Sequence, residues 1–169
     1  MAIFKPYLML KSIFDITPEL LSEMGIKALL LDVDNTMAIY HTDVPIDGID
    51  KWIDAMKSSG IDLHILSNAK PKRLTRFANN VNLPFFCMSL KPLPFKINKA
   101  IKALGVKKSE VALVGDQMFT DILGGNLANI KTIWLEIIEP ETKLSFKIKR
   151  KIEKIMRRKY SEMRDNNEC

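Results

Sequence analysis

The sequence predicts an α/β protein, a doubly wound and mainly parallel sheet with helices packed on it. Three observations carry that prediction. Ala28–Leu31 and Val111–Val114 are uninterrupted apolar runs of four residues, the pattern of strands buried on both faces. The first run passes directly into Asp32 and Asp34, and the second, through Gly115, into Asp116 with Asp121 close behind. Open α/β sheets place their ligands at that carboxyl edge. Strand-like runs and segments of helical period also alternate along the chain, which favours parallel pairing through right-handed crossovers.

The elements follow in order. Thr17-Pro18-Glu19 reads as an N-cap with proline at the first helical position, and Gly25 as the stop before the strand Ala28–Leu31. Met37–Gly48 shows little regular pattern and reads as a flap near the carboxylates. Ile49, Trp52, Ile53 and Met56 recur at helical spacing up to Gly60. Ile61–Leu66 alternates as a strand and runs into Ser67-Asn68. Pro71 opens a helix with Leu74, Phe77, Ala78 and Val81 on one face. Pro84–Met88 reads as a short strand and Ser89–Pro94 as a loop, since each proline disfavours helix in the residue before it. Ile97, Ala100, Ile101 and Leu104 mark the next helix, stopped by Gly105. After Val111–Val114, a helix is expected to begin near Thr120 or Asp121 and pass through Gly124 and Gly125, before a last strand at Lys131–Leu135. Leu144, Ile148, Ile152, Ile155 (or Met156) and Met163 predict a basic amphipathic helix at the end. The expected division is a domain over 1–140 and a basic helix and tail over 141–169.

Composition narrows the function classes. The chain of 169 residues is long enough for one domain with a proper core. Its two cysteines, Cys87 and Cys169, offer neither a disulfide framework nor metal-ligand spacing. Lys5, Pro6 and Lys11 interrupt the apolar start, so no signal peptide is read there, and no uncharged stretch approaches the ~20 residues of a membrane span. A cytoplasmic location is expected. The net charge is +6, but Lys143–Lys159 alone holds nine basic residues and one acid, Glu153, a net of +8. Any anionic partner would be met there.

The chemistry begins with Asp32-Val33-Asp34. In extended backbone the two carboxylates point to one side, where their repulsion calls for a cation between them. Oxygen ligands of this kind suit Mg²⁺. The plain alternative is two solvated acids in a turn. Ser67, Lys91, Asp116 and Asp121 add a hydroxyl, an ammonium and two more acids at other strand ends, a set coherent with phosphoryl transfer. Alternatives stay open: Lys96 or Lys99 in place of Lys91, an N-cap role for Asp121, local turn roles for Asn35 and Thr36. His41 and His64 read as loop and strand residues, and Cys87 as inert core.

Taken in order, Asp32-Val33-Asp34-Asn35-Thr36, Ser67-Asn68, Lys91-Pro92 and Gly115-Asp116…Thr120-Asp121 resemble the motifs of the haloacid-dehalogenase (HAD) superfamily of phosphohydrolases. Gly25-Ile26-Lys27, Lys91-Pro92-Leu93, and Gly115-Asp116-Gln117…Thr120-Asp121-Ile122…Gly124-Gly125-Asn126 are more similar to the YqeG-like phosphatases of HAD subfamily IIIA, relatives of mitochondrial phosphatidylglycerophosphate phosphatases. The resemblance covers about residues 5–138. It implies that Asp32 is the nucleophile and forms an aspartyl-phosphate, and that Asp34 serves as acid and then base. It further implies that Ser67 and Lys91 bind the phosphoryl group, and Thr36 and Asn68 are candidates for the same contact. Mg²⁺ would be held by Asp32, the backbone carbonyl of Asp34, Asp116 and Asp121.

Only 30 residues lie between Thr36 and Ser67, and 23 between Ser67 and Lys91. A separate cap domain needs at least ~40 residues, so none is expected. In this superfamily, lack of a cap goes with large substrates or with closure by a neighbouring subunit. The resemblance points to a phospholipid headgroup, phosphatidylglycerophosphate. The basic tail is compatible with peripheral contact at an anionic membrane or with a packed, solvated helix. Nucleic acid is not expected, because no aromatics interleave the charges. The open alternatives are a phosphatase of a soluble ester or phosphoprotein, and a catalytically idle adaptor on the same fold. Oligomeric state is not legible.

Overall fold

A computed structural model of the chain describes residues 2–141 and 144–165. Lys143 and Cys169 lie outside the described residues, as do the side chains of Leu144 and Met163. The chain divides into two compact units, Met1–Ile138 and Glu139–Cys169.

The first unit is built on six strands: β1 (Leu8–Leu10), β2 (Ala28–Leu31), β3 (Asp62–Leu66), β4 (Phe85–Phe86), β5 (Val111–Gly115) and β6 (Lys131–Leu135). Their order is β1-β6-β5-β2-β3-β4. Every pairing is parallel. From β2 the chain steps outward through β3 and β4, then crosses to β5 and steps outward through β6. The crossover leaves a crevice between the carboxyl ends of β2 and β5, the switch point where doubly wound sheets bind ligands.

Helices α1 (Pro18–Glu23), α2 (Ile49–Ser58), α3 (Pro71–Val81), α4 (Pro94–Leu104) and α5 (Leu123–Ala128) close the layers. Alternation along the strands sorts the core in two. Leu29, Leu31, Leu63, Ile65, Ala112 and Val114 pack with α1, α2 and α3. Ala28, Leu30, Leu66, Val111 and Leu113 pack with α4 and α5. Trp52 in α2 donates its indole N–H to Ile16 O at 2.9 Å, so the one polar atom of a large core side chain is satisfied. The stretches between Thr36 and Lys91 hold only the flap, α2, β3, α3 and β4, and no cap domain stands among the described residues.

Two local expectations are corrected, and one strand is added that the sequence does not signal. Leu8–Leu10 forms an edge strand, which three half-buried residues do not announce in sequence. The strand expected over Pro84–Met88 shrinks to Phe85–Phe86, so the half-buried Cys87 follows β4 rather than lying within it. The helix expected to start near Thr120 starts earlier, as a π-helical turn over Met118–Ile122 that leads into α5.

The second unit contains α6 (Leu144–Asp165). Arg150 forms ion pairs with Glu141 and, at 2.8 Å, with Glu153, and both acids are buried. The apolar row Ile148, Ile152, Ile155 is exposed, at 57%, 44% and 63%. No described helix is long and apolar enough to cross a membrane.

Candidate active site

The apolar register of β2 carries straight into the site, because Asp32 N still bonds Val114 O at 3.0 Å beyond the last strand residue. That places Asp32 next to the end of β5, which carries Asp116 one residue on. Asp32, Asp116 and Asp121 are 6%, 1% and 0% exposed. Each can offer an oxygen within 4.8 Å of the other two.

Asp121 reaches this place through the π-helical turn, which its neighbours fix. Gln117 N donates to Asp121 Oδ2 at 3.1 Å. Gly115 lies directly under the carboxylate: a Cβ on Gly115 would stand 2.3 Å from Asp121 Cγ. Trp134 in β6 braces the same turn through its indole N–H to Asp116 O at 2.8 Å.

Lys91 enters from the loop between β4 and α4 and is almost fully buried. Its Nζ lies 2.9 Å from Asp32 Oδ1 and 2.7 Å from Asp121 Oδ1, and it donates to Leu66 O at 2.8 Å. Burial pushes the Asp32 carboxyl up to about 6, against the pull of the adjacent ammonium and with the Asp121 charge adding to the push. Burial alone would lower the Lys91 ammonium, but the carboxylates of Asp121 and Asp32 outweigh it and hold it above its usual range.

Asn68 organises the loop that aims this lysine. Its Oδ1 accepts Ser89 Oγ at 2.7 Å and Lys91 N at 2.8 Å, and its Nδ2 donates to Lys91 O at 3.0 Å. Met88 and Leu90 in that loop have left-handed backbone, φ +47° and +57°. Such conformations cost about 1–3 kcal/mol each and persist where surrounding bonds hold them. Asn68, a candidate phosphate contact, uses its Oδ1 and one Nδ2 hydrogen on the loop. Lys96 Nζ, the alternative to Lys91, bonds Cys87 O at 3.1 Å, and Lys99 is exposed.

Ser67 is buried at the end of β3, its Oγ accepting Ala69 N at 3.2 Å. Thr36 is buried too, and its Oγ1 has no hydrogen-bond partner among the described residues. Asn35 takes left-handed backbone, φ +55°, which turns the chain so that its N–H bonds Ala38 O at 2.7 Å. The flap is thereby anchored: Met37 and Ala38 are fully buried, and Ala38 bridges Pro45.

Asp34 stands apart from the three-carboxylate cluster. Its carboxylate is engaged by Arg73 from α3, Nη1 to Oδ2 at 2.8 Å and Nη2 to Oδ1 at 2.6 Å, and by His41 N at 2.7 Å. The hydrogen bond to Asp34 holds the Arg73 guanidinium above its ordinary range. The sequence reading missed Arg73. The signal available was an arginine in the first turn of a helix that follows the Ser67-Asn68 strand end.

The profile of the haloacid dehalogenase-like hydrolases matches residues 5–129. The chain belongs to that family. Probable phosphatase YqeG of Bacillus subtilis is 31% identical over 160 residues, 92% of this chain and 93% of its own length. The glyceraldehyde 3-phosphate phosphatase of Pyrococcus furiosus is 31% identical over 111 residues, 60% of this chain and 45% of that enzyme. In fold, a crystal structure of an uncharacterized protein from Listeria monocytogenes serotype 4b superposes with a TM-score of 0.59 at 20% identity, over 70% of this chain and 85% of that one. The buried carboxylate cluster lies at the ends of β2 and β5. The buried cluster there fits a divalent cation by the nature of its donors, hard carboxylate oxygens converging without a thiol or imidazole.

Proposed function

We propose that the protein is a Mg²⁺-dependent phosphomonoester hydrolase working through an aspartyl-phosphate on Asp32, with phosphatidylglycerophosphate as substrate. The observation that carries the chemistry is the buried Lys91 ammonium bridging Asp32 and Asp121 at the crevice. An ammonium so held fixes Asp32 in one orientation and offsets negative charge as a phosphate dianion approaches. Ser67 and Thr36 bind phosphoryl oxygens; the unpaired, buried Oγ1 of Thr36 supports this. Asn68 acts on the phosphate through the loop it clamps. Asp34 gives a proton to the leaving oxygen and later accepts one from water. Mg²⁺, held by Asp32, Asp116, Asp121 and the backbone carbonyl of Asp34, would supply charge neutralisation at the transferring group.

The lipid reading draws support from the rim. The loop carrying Lys91 exposes Met88, Leu90 and Leu93, and Phe95 follows at 76% exposure. An apolar rim beside a phosphate site suits a headgroup still attached to its chains. The exposed Ile148–Ile152–Ile155 row, flanked by Lys147, Lys151 and Lys154, suits peripheral contact with an anionic bilayer on its cytoplasmic side. The uncapped domain over 1–140 and the basic helix and tail over 141–169 then divide the work between chemistry and docking.

The test is Mg²⁺-dependent phosphate release from phosphatidylglycerophosphate in anionic vesicles, run beside a small chromogenic phosphate ester. Asp32→Asn should lower both rates by more than about 10³-fold, as loss of a nucleophile does. Turnover on the lipid far above the small ester supports the full reading. Turnover on the small ester alone keeps the mechanism and discards the lipid.

A further inference from the structure

The two oxygens of Asp34 are used unequally. Oδ1 accepts two N–H groups, Arg73 Nη2 at 2.6 Å and His41 N at 2.7 Å. Oδ2 accepts Arg73 Nη1 at 2.8 Å. A carboxylate oxygen has two lone-pair directions. Oδ1 is therefore saturated, and Oδ2 keeps one direction for a proton. The arrangement is held from outside the catalytic strands. Arg73 lies in the first turn of α3, 39 residues from Asp34, and its Nη2 also bonds Thr42 O at 3.0 Å in the flap. Its Nε lies 3.5 Å from Asp43, which Arg76 also pairs at 2.8 Å. Both partners of the fork are mostly shielded from solvent, Arg73 at 18% and Asp34 at 14% exposed.

From this geometry we propose that Arg73 is the positioning residue of the proton-transfer steps: with His41 N it saturates Oδ1 and presents Oδ2 as the atom that carries the proton. The proposal rests on the reading of Asp34 as acid and base. A planar two-point fork fixes the plane of a carboxylate, which a point-charge ammonium does not. In the first step an Asp32 oxygen forms a bond to phosphorus and the bond from phosphorus to the ester oxygen breaks. The proton on Asp34 Oδ2 moves to that oxygen, giving the alcohol, the aspartyl-phosphate and the Asp34 carboxylate. In the second step water bonds to phosphorus and gives a proton to Oδ2. The phosphorus–oxygen bond to Asp32 breaks, its electron pair returns to Asp32, and phosphate leaves.

The assignment predicts a dependence on the leaving group that a structural role for Arg73 would not produce. A dinitrophenolate departs without a proton; an alkoxide needs one. The experiment measures kcat/KM with Mg²⁺ across dinitrophenyl, nitrophenyl, phenyl and alkyl phosphates for Arg73→Ala, Arg73→Lys, Asp43→Asn and Asp34→Asn. A positioned general acid is worth on the order of 10²–10⁴-fold. Arg73→Ala should lose about 10²-fold on the alkyl ester and less than about threefold on the dinitrophenyl ester. Added guanidinium should restore part of the alkyl activity. Arg73→Lys, which keeps the charge without the fork, should show the same steepening to a smaller degree and stands in if the alanine variant does not fold. Asp43→Asn keeps both Nη contacts and weakens only the Nε partner, so its slope should lie between those of the parent and Arg73→Lys. Equal losses across the series for both Arg73 variants overturn the proposal while a steepened Asp34→Asn keeps the acid–base reading. A flat Asp34→Asn series overturns both.

Discussion

Asp32 and Lys91 are charged groups held where water does not reach, and each is tolerated because of the other. The Asp32 carboxyl, raised by burial from 3.8 to about 6, binds its proton more tightly in the folded chain than in the unfolded one. Such a group contributes stability that is complete below pH ~4 and is lost as pH rises through about 6. In metal-free protein, the stability of Asp32→Asn relative to the parent should therefore climb between pH 4 and 6 and level off above. The total change is up to about 3 kcal/mol, at 1.36 kcal/mol per pKa unit. Urea titrations of both proteins in chelator check this, and a difference that is flat with pH defeats it. As candidates, Asp32, Asp34, Ser67 and Asp116 were legible because each closely follows an apolar run, so strand ends mark them, whereas Lys91 and Asp121 lie on the loop and the turn beyond and were legible only through the order of the motifs. Arg73 was not, because nothing near it in sequence names its partner and a basic residue in a helix reads as solvated. Asn68 was legible as a site residue, but its work on the Lys91 loop depends on a contact 23 residues away.

The element that delivers Asp121 depends on what is missing beneath it. Gly115 ends β5 with no side chain, and the π-helical turn settles into that space. Gly125 plays the same part in α5: a Cβ there would meet Thr132 Cγ2 at 2.3 Å, so the helix would be forced off β6. Gly115→Ala should cost about 1–3 kcal/mol by overpacking. On the proposed Mg²⁺ site, the parent should gain Tm with Mg²⁺ and Gly115→Ala should not, since Asp121 is displaced from Asp32 and Asp116. A Gly115→Ala protein with the parent's Mg²⁺-dependent Tm would refute that account. Helices α2, α3 and α4 were readable because Ile49, Leu74 and Ile97 each head a clean period of buried positions. The π-helical turn was not, since no propensity distinguishes an extra residue per turn from an ordinary helix start. β1 escaped for want of length.

At the scale of the whole molecule the parallel order was inferable only as a class, because alternation fixes that crossovers occur and not which strand lies beside which. The tail was legible as amphipathic, but its sequence does not say which row meets solvent. In the structure Glu153 is buried and paired with Arg150, and the isoleucines are exposed. Replacing Ile148 and Ile152 with Glu removes apolar contact and opposes an anionic bilayer. With each charge near such a surface worth about 1 kcal/mol, vesicle partition should fall by at least roughly thirtyfold. Turnover of a small soluble ester should be retained. Sedimentation with anionic vesicles reads the first and phosphate release the second; unchanged sedimentation would remove the tail from any docking role. The placement of β1 has a different kind of consequence. Its partner is β6, and Tyr7 meets Thr132 across 125 residues. During synthesis at about 5–20 residues per second, Leu8–Leu10 emerges from the ribosome about 6–25 seconds before the strand it pairs with. The nascent sheet must grow from its middle, β2 against β3, and the first strand made is among the last to be seated.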